Sequence, residues 1–139
     1  MTKNIKNIIE AKFKREDLGS DIKTVLFKEA KQPEFNYLSY LIDYAIEEPI
    51  IMFYRNNNHW FIITTKRLIY KKSKKRMIDL KSIKSVSIDY QNKRDIKKTE
   101  ISEIILYLFT NEKILFEVEK GTCWAIFGIM QYLANNNTN

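Results

Sequence analysis

The stretches HWFIITTKRLIYKK, residues 59–72, and IDLKSIKSVSI, residues 78–88, decide the fold of this chain. Both are rich in β-branched and aromatic residues, which favour strands. In the second stretch, Val86 and Ile88 alternate with serines, as in a strand with one buried face. These residues are therefore predicted to form β-strands, with a tight corner at Thr65-Lys66.

The strand pattern begins after Pro49 and continues almost to the end of the chain. Turns are expected at Asn56-Asn57-Asn58, at the Lys-Ser-Lys-Lys sequence and at Thr110-Asn111-Glu112. No helix is predicted between any two strands. The seven predicted strands are residues 50–55, 59–65, 67–72, 76–80, 82–91, 101–110 and 113–119.

Helical periodicity marks the two ends of the chain instead. Apolar residues at helical spacing predict a helix within residues 20–33, with Ser20 or Asp21 as its cap and Pro33 just after its end. They also predict a helix over residues 35–46 and a weaker one over residues 5–13. Thr122 is a suitable cap for a closing helix over residues 122–135, with residues 135–139 as a frayed tail.

Seven antiparallel strands followed by a helix resemble the pleckstrin-homology-like (PH-like) fold. The two opening stretches resemble its bacterial, GRAM-like branch, in which an I-x-L-x-x-I-x-x-V run occurs, here Ile78, Leu80, Ile83 and Val86. The resemblance covers residues 49–134. It implies an α+β, mainly β fold: a seven-stranded, partly open barrel with a C-terminal capping helix. Residues 1–48 would be an N-terminal helical segment packed on, or extending, a PH-like domain of residues 49–139.

Alternation along the strands and the closing helix predicts one apolar core. Its expected members are Trp60, Ile62, Leu68, Val86, Ile88, Leu106, Leu108, Phe116, Trp124 and Phe127.

Length and composition narrow the class of protein. A chain of 139 residues with 45% apolar and 29% charged residues suits one folded, soluble domain. Its single cysteine, Cys123, cannot form an internal disulfide, so a reducing, cytoplasmic setting is expected. No apolar run reaches the roughly 18 residues that a membrane-spanning helix needs.

Positive charge is concentrated in one segment. The net charge is +7, yet residues 66–98 contain thirteen Lys or Arg and only three Asp. In one interpretation the charges keep a strand soluble and discourage edge pairing. In the other they bind an anionic partner. The candidate ligand-binding residues are Lys71, Lys72, Lys74, Lys75, Arg76, Lys93, Arg94, Lys97 and Lys98.

The PH-like resemblance implies a binding module, but the fold alone does not choose the ligand. Phosphoinositide-binding members carry basic residues in the first hairpin loop, which here is the uncharged Asn56-Asn57-Asn58. A protein partner is therefore expected first and an anionic membrane surface second. Nucleic acid ranks lower, because Tyr70 and Tyr90 are the only aromatics among the charges and both suit a core equally well.

Residues suited to catalysis are few. His59 is the only histidine and has no acidic residue close in sequence, so it is interpreted as structural or exposed, with a ligand contact as the alternative. Cys123 is interpreted as a core thiol rather than a reactive one. Glu47-Glu48 is interpreted as a solvated helix end. Neither a metal nor a cofactor is expected, and an enzyme is the least favoured class.

Two non-enzymatic classes remain open on sequence grounds. The first is a PH-like module that binds a protein or an anionic surface. The second is a small inhibitor, such as an immunity protein that neutralises a toxin by occlusion. If the N-terminal third of the chain packs over the sheet, its role is structural, whereas an exposed apolar stripe on it would indicate a protein partner.

Overall fold

The computed structural model describes residues 4–16, 18–19, 21–88 and 101–138. Within these ranges the chain forms three α-helices, eight strands and two short 3-10 helices. The helices are α1 (Ile5–Lys14), α2 (Gln32–Ser39) and α3 (Cys123–Thr138). The strands are β1 (Val25–Leu26), β2 (Pro49–Asn56), β3 (His59–Thr64), β4 (Arg67–Lys72), β5 (Lys74–Asp79), β6 (Ile83–Ser87), β7 (Glu103–Leu108) and β8 (Lys113–Glu117). The 3-10 helices are Phe27–Glu29 and Leu80–Ser82.

The strands form two antiparallel sheets, one in the order β1-β2-β3-β4-β5 and one in the order β6-β7-β8. The α+β, mainly β class and the seven strands after residue 48 are confirmed. The described strands do not close into a barrel, because the 3-10 helix Leu80–Ser82 separates β5 from β6 and the two are not paired. The last part of the predicted strand over residues 82–91, from residue 89 onward, lies outside the described residues.

Consecutive residues of a strand point to opposite sides of the sheet, and in β3 all six residues are buried, so the centre of the five-stranded sheet is covered on both faces. Ile63 lies opposite Leu68, and both belong to a larger core that includes residues of both sheets, α1 and α3. Ile62 lies opposite Ile69, and both belong to a smaller core. The smaller core consists of Phe27, Leu38, Ile42, Met52, Trp60, Ile62 and Ile69.

The prediction of one core is therefore wrong. Trp60 and Ile62 lie in the smaller core, on the opposite face of the sheet from Leu68. Of the other predicted members, Val86, Ile88 and Phe127 are only partly buried against the larger core, and Trp124 is half-buried. The confirmed members of the larger core are Leu68, Leu106, Leu108 and Phe116.

The helix predicted over residues 20–33 is also wrong. Leu26 lies opposite Ile51, so the segment adds strand β1 to the edge of the larger sheet. The Glu119 carboxylate, which follows β8, accepts hydrogen bonds from Lys23 N at 2.9 Å and from Thr24 N at 2.8 Å. The Thr24 hydroxyl donates to the same carboxylate at 2.7 Å. These long-range bonds hold the backbone extended where local periodicity favours a helix.

The second N-terminal helix is shorter and earlier than the predicted range of residues 35–46. Pro33 lies in the first turn of α2 rather than beyond the end of a helix, a position where its missing N–H costs nothing. Leu38 and Ile42 pack into the smaller core, so residues 32–42 cover one face of the sheet.

The first and last helices are confirmed, with one correction at the C-terminus. Asn4 caps α1 by accepting a hydrogen bond from Asn7 N at 3.1 Å. Helix α3 packs on β6 and extends to Thr138. Asn137 is not frayed, because its side-chain amide donates to Leu80 O at 2.7 Å and to Ile83 O at 2.8 Å.

Candidate functional site

The first basic cluster lies on the β4–β5 hairpin and consists of Lys71, Lys72, Lys74, Lys75 and Arg76. Ser73, whose φ is 74°, makes the turn of this hairpin. Lys71 lies opposite Lys75, and Lys72 lies opposite Lys74. Because strand residues alternate between faces, the hairpin divides its cations between the two sides of the sheet. The charges thus form two small groups rather than one continuous patch.

On the side of the larger core, two of these cations have internal partners. Lys72 Nζ lies 2.8 Å from Glu117 Oε2 on β8, and Arg76 pairs with Glu112 in the β7–β8 turn. Both contacts join the five-stranded sheet to the three-stranded one. Lys74 is exposed and has no ion pair among the described residues, and it belongs to β5, the edge strand of its sheet. This half of the cluster fits the solubility and edge-protection interpretation.

On the side of the smaller core, Lys71 and Lys75 have no ion pair among the described residues. They line a groove of about 460 Å³ between the hairpin and the segment that contains α2. We call this groove the aromatic-lysine surface; it is lined by Tyr37, Tyr40, Leu41, Trp60, Lys71 and Lys75. Two like charges directly opposite each other in an antiparallel pair repel. An anionic group placed between them would relieve that repulsion.

Aromatic side chains give this surface its second property. Tyr40 is 88% exposed, which is exceptional for so large a ring. Tyr37 packs against Tyr54 with ring centroids 5.3 Å apart, so one wall of the groove is fixed. Trp60 is buried at the base, and its Nε1 has no hydrogen-bond partner within the described part of the chain. A ligand that offers both an anion and apolar surface would match these walls.

Other large apolar side chains are exposed in the loop after α2 and on β5. Tyr44 and Ile46, in the loop after α2, are 57% and 59% exposed. Met77 is 54% exposed and lies on the same face of β5 as Lys75. The N-terminal third of the chain therefore exposes several large apolar side chains, although Phe27, Leu38 and Ile42 of the same segment contribute to the smaller core.

A buried ion pair between Glu47 and Arg67 fixes the loop after α2, which carries Tyr44 and Ile46. Glu47 is buried, and its carboxylate accepts hydrogen bonds from Arg67 Nε at 2.9 Å and from the Thr64 hydroxyl at 2.8 Å. Arg67 also donates to Leu41 O at 3.4 Å and contacts Met77 Sδ at 3.0 Å. Arg67 thus connects the segment that follows α2 to β5.

Burial raises the pKa of Glu47, but the hydrogen bonds from Arg67, Asp43 N and Thr64 outweigh it, so the pKa lies below its ordinary value. The Arg67 pKa is raised, chiefly by its hydrogen bond to Glu47. The interpretation of Glu47 as a solvated helix end is wrong, while Glu48 is exposed. The burial of Glu47 follows from the strand register, which the sequence interpretation did not use. Pro49 lies opposite Thr64, so the glutamates that precede Pro49 lie at the β3–β4 corner.

His59 and Cys123 are both buried. His59 packs edge-on against Phe53 with ring centroids 5.0 Å apart, and its Nε2 has no hydrogen-bond partner among the described residues. Burial and then the nearby Lys72 charge lower the pKa of His59, and Glu117 opposes them. His59 is thus not exposed at the surface, and Cys123 lies in the larger core as expected for a core thiol.

The second basic cluster, Lys93, Arg94, Lys97 and Lys98, lies outside the described residues. Across the described ranges, no three His, Cys, Asp or Glu side chains group as metal ligands would. Of the helices described, none is both long enough and apolar enough to cross a membrane.

No family model, curated protein or solved structure matches this chain. The aromatic-lysine surface is therefore interpreted from its own geometry and chemistry.

Proposed function

We propose that this chain is a non-enzymatic, PH-like binding module of the cytoplasm that recognises a protein partner through the aromatic-lysine surface. The PH-like assignment is supported by the seven antiparallel strands β2 to β8, which are followed by helix α3 in the described part of the chain. The observation that carries the functional proposal is that exposed aromatics line one groove together with two lysines that have no ion pair among the residues described.

The partner that fits best is an acidic segment with apolar side chains. Aromatic residues are enriched in the buried centres of protein interfaces, where they supply much of the binding energy. Tyr40 offers such an anchor, since little of its ring is covered in the free chain. A carboxylate of the partner between Lys71 and Lys75 would form charge-assisted hydrogen bonds and cancel their mutual repulsion. Attraction of this kind weakens as salt shortens the Debye length.

Site-specific photo-crosslinking in the native cell tests this proposal. A photo-reactive phenylalanine analogue at Tyr40 should crosslink one discrete partner, whereas the same analogue at Leu115, 55% exposed on β8, should not. The Tyr40 crosslink should be lost in K71E/K75E and retained in the matched control K74E/K84E, whose lysines are exposed and lie outside the groove.

Three results would contradict the proposal. They are an equal crosslinking pattern from Tyr40 and Leu115, a Tyr40 crosslink unaffected by K71E/K75E, and binding that does not change with salt. Vesicles of anionic and neutral lipid supply the membrane comparison. If K71E/K75E loses sedimentation with anionic vesicles and no protein crosslink is found, the ligand is a membrane surface instead.

A further inference from the structure

A second cavity lies on another part of the molecule, where α1, α3 and the β3–β4 corner meet. Its volume is about 550 Å³, within the range of roughly 300–1,000 Å³ typical of small-molecule sites. It shares no lining residue with the aromatic-lysine surface. The proposed protein-binding function therefore does not account for it.

Aliphatic side chains from separate elements form the apolar part of this cavity. Leu80 and Leu133 are each 4% exposed and belong to the larger core, so the cavity reaches into the core surface. Ile5 from α1 is partly buried beside them, and Ile46 is 59% exposed at the rim. An aliphatic tail in the cavity would be shielded from water by these side chains and would cover the exposed surface of Ile46.

The charges of the lining favour an anion. Lys66 and Lys81 are exposed and have no ion pair in the described part of the chain, and Asp79 is the one acid among the lining residues. Arg67 also lines the cavity, but its charge is already balanced by Glu47. Lys66 and Lys81 together outweigh the single negative charge of Asp79, so the lining has a net positive charge.

Backbone groups near the rim are already bonded. Lys66 N donates to the Thr64 hydroxyl at 3.0 Å, and Leu80 N donates to Lys66 O at 2.9 Å. The Asn137 amide is occupied by two carbonyls. The two lysine side chains therefore remain as the charged donors for a ligand head.

We propose that this cavity binds an anionic amphiphile, with its aliphatic tail against Leu80 and Leu133 and its carboxylate or phosphate head at Lys66 and Lys81. Both heads share the same chemistry here, since a lysine ammonium binds either as a point charge. The site is independent of the proposed protein partner.

Four ligands with the same tail test the proposal: octanoate, octyl phosphate, 1-octanol and octylammonium. In titrations followed by amide NMR, octanoate or octyl phosphate should shift the signals of Lys66, Leu80 and Leu133. Whichever of the two binds more tightly identifies the head. The neutral alcohol should bind at least about tenfold more weakly, and octylammonium should not bind at the site.

Variants separate the charge from the fold. K66A/K81A should weaken octanoate binding by about tenfold, whereas the matched control K74A/K84A, at exposed lysines outside both cavities, should leave it unchanged. The two proposals are separated by the position of the shifted signals, which should be those of Lys66, Leu80 and Leu133 rather than those of Tyr40 and Trp60. Equal binding of octanoate and octylammonium, an unchanged affinity in K66A/K81A, or shifts confined to residues outside the cavity would overturn the proposal.

Discussion

Glu47 and Arg67 form a hydrogen-bonded ion pair that joins the loop after α2 to the start of β4. The Glu47 side chain has no solvent-exposed surface, while that of Arg67 is 20% exposed. Removing one member of a buried pair leaves the other charge poorly compensated. The pair therefore fixes the position of the loop that supplies part of the aromatic-lysine surface.

The first prediction compares two adjacent glutamates. E47Q should lower the free energy of unfolding by about 3 kcal/mol. This value is at the lower end of the cost of breaking a buried ion pair, because Arg67 is partly exposed. E48Q is the matched control, because Glu48 is exposed and its ion-pair distance to Lys6 is 3.8 Å. It should cost less than about 1 kcal/mol. Denaturant unfolding measures both, and equal costs would contradict the assigned role of Glu47.

The second prediction concerns acid stability. The pKa of Glu47 is lowered in the folded chain, so the unfolded chain binds a proton more readily. The stabilisation is complete well above the unfolded pKa of about 4.3 and is lost as pH falls through that value towards the folded pKa. The stability difference between wild type and E47Q should thus be constant from about pH 6 to about pH 8, well above the unfolded pKa. It should shrink below about pH 4. A difference that grows on acidification would contradict the ion pair.

The third prediction uses the only histidine of the chain, whose NMR signal needs no assignment. The pKa of His59 should fall below the ordinary value of about 6.5. Replacing the nearby cation, in K72M, should raise this pKa only in part, because burial is the larger cause. The unfolded chain takes up the proton first, so His59 should reduce stability as pH falls from about 6.5 towards its folded pKa. A measured pKa at or above 6.5 would contradict the burial of this ring.

The β-rich part of the fold could be predicted because its signals are local. Strand residues with period two, and turns such as Asn111 at a φ of 72°, are encoded within a few positions. The helix predicted over residues 20–33 failed for the opposite reason, since Glu119 holds Lys23 and Thr24 from a distant part of the sequence. The division into two cores depends on how the strands pair, and the alternation of apolar residues along each strand does not determine that pairing.

The candidate site was predicted only in part. Charge density identified the hairpin, but the division of Lys71 and Lys75 from their neighbours became visible only from the strand pairing. The internal partners of Lys72 and Arg76 come from β8 and the β7–β8 turn, so they depend on how the two sheets pack. Tyr40 gave no signal of its own, because its exposure depends on where α2 ends.

The fourth prediction compares two phenylalanines. Phe116 is 1% exposed and packs edge-on against Phe61 with ring centroids 5.1 Å apart. F116A should cost about 3–5 kcal/mol in the free energy of unfolding. Phe127 is only partly buried, so F127A should cost about 1–2 kcal/mol, in proportion to its smaller buried area. Thermal and denaturant unfolding measure both, and a larger loss in F127A would place α3 deeper in the core than it lies here.

The fifth prediction concerns the anchor of β1 by Glu119. In E119Q the retained oxygen can still accept from Thr24 N and the Thr24 hydroxyl, but an NH₂ group replaces the oxygen that lies 2.9 Å from Lys23 N, which places one donor against another. The variant should lose about 1–3 kcal/mol, because the bond from Lys23 N is lost and the bonds from Thr24 no longer have a charged acceptor.

The position of that loss separates a local anchor from a general defect. Hydrogen exchange should accelerate at the amides of Thr24 and Leu26 in E119Q, while the amides of β7, paired on both sides, keep their protection. E117Q is the control two residues away, because Glu117 is partly exposed and pairs with Lys72 instead. It should leave exchange at Thr24 unchanged. Uniform acceleration across both sheets in E119Q would mean that Glu119 stabilises the whole fold, whereas loss at Thr24 and Leu26 alone would identify it as the residue that holds β1 extended.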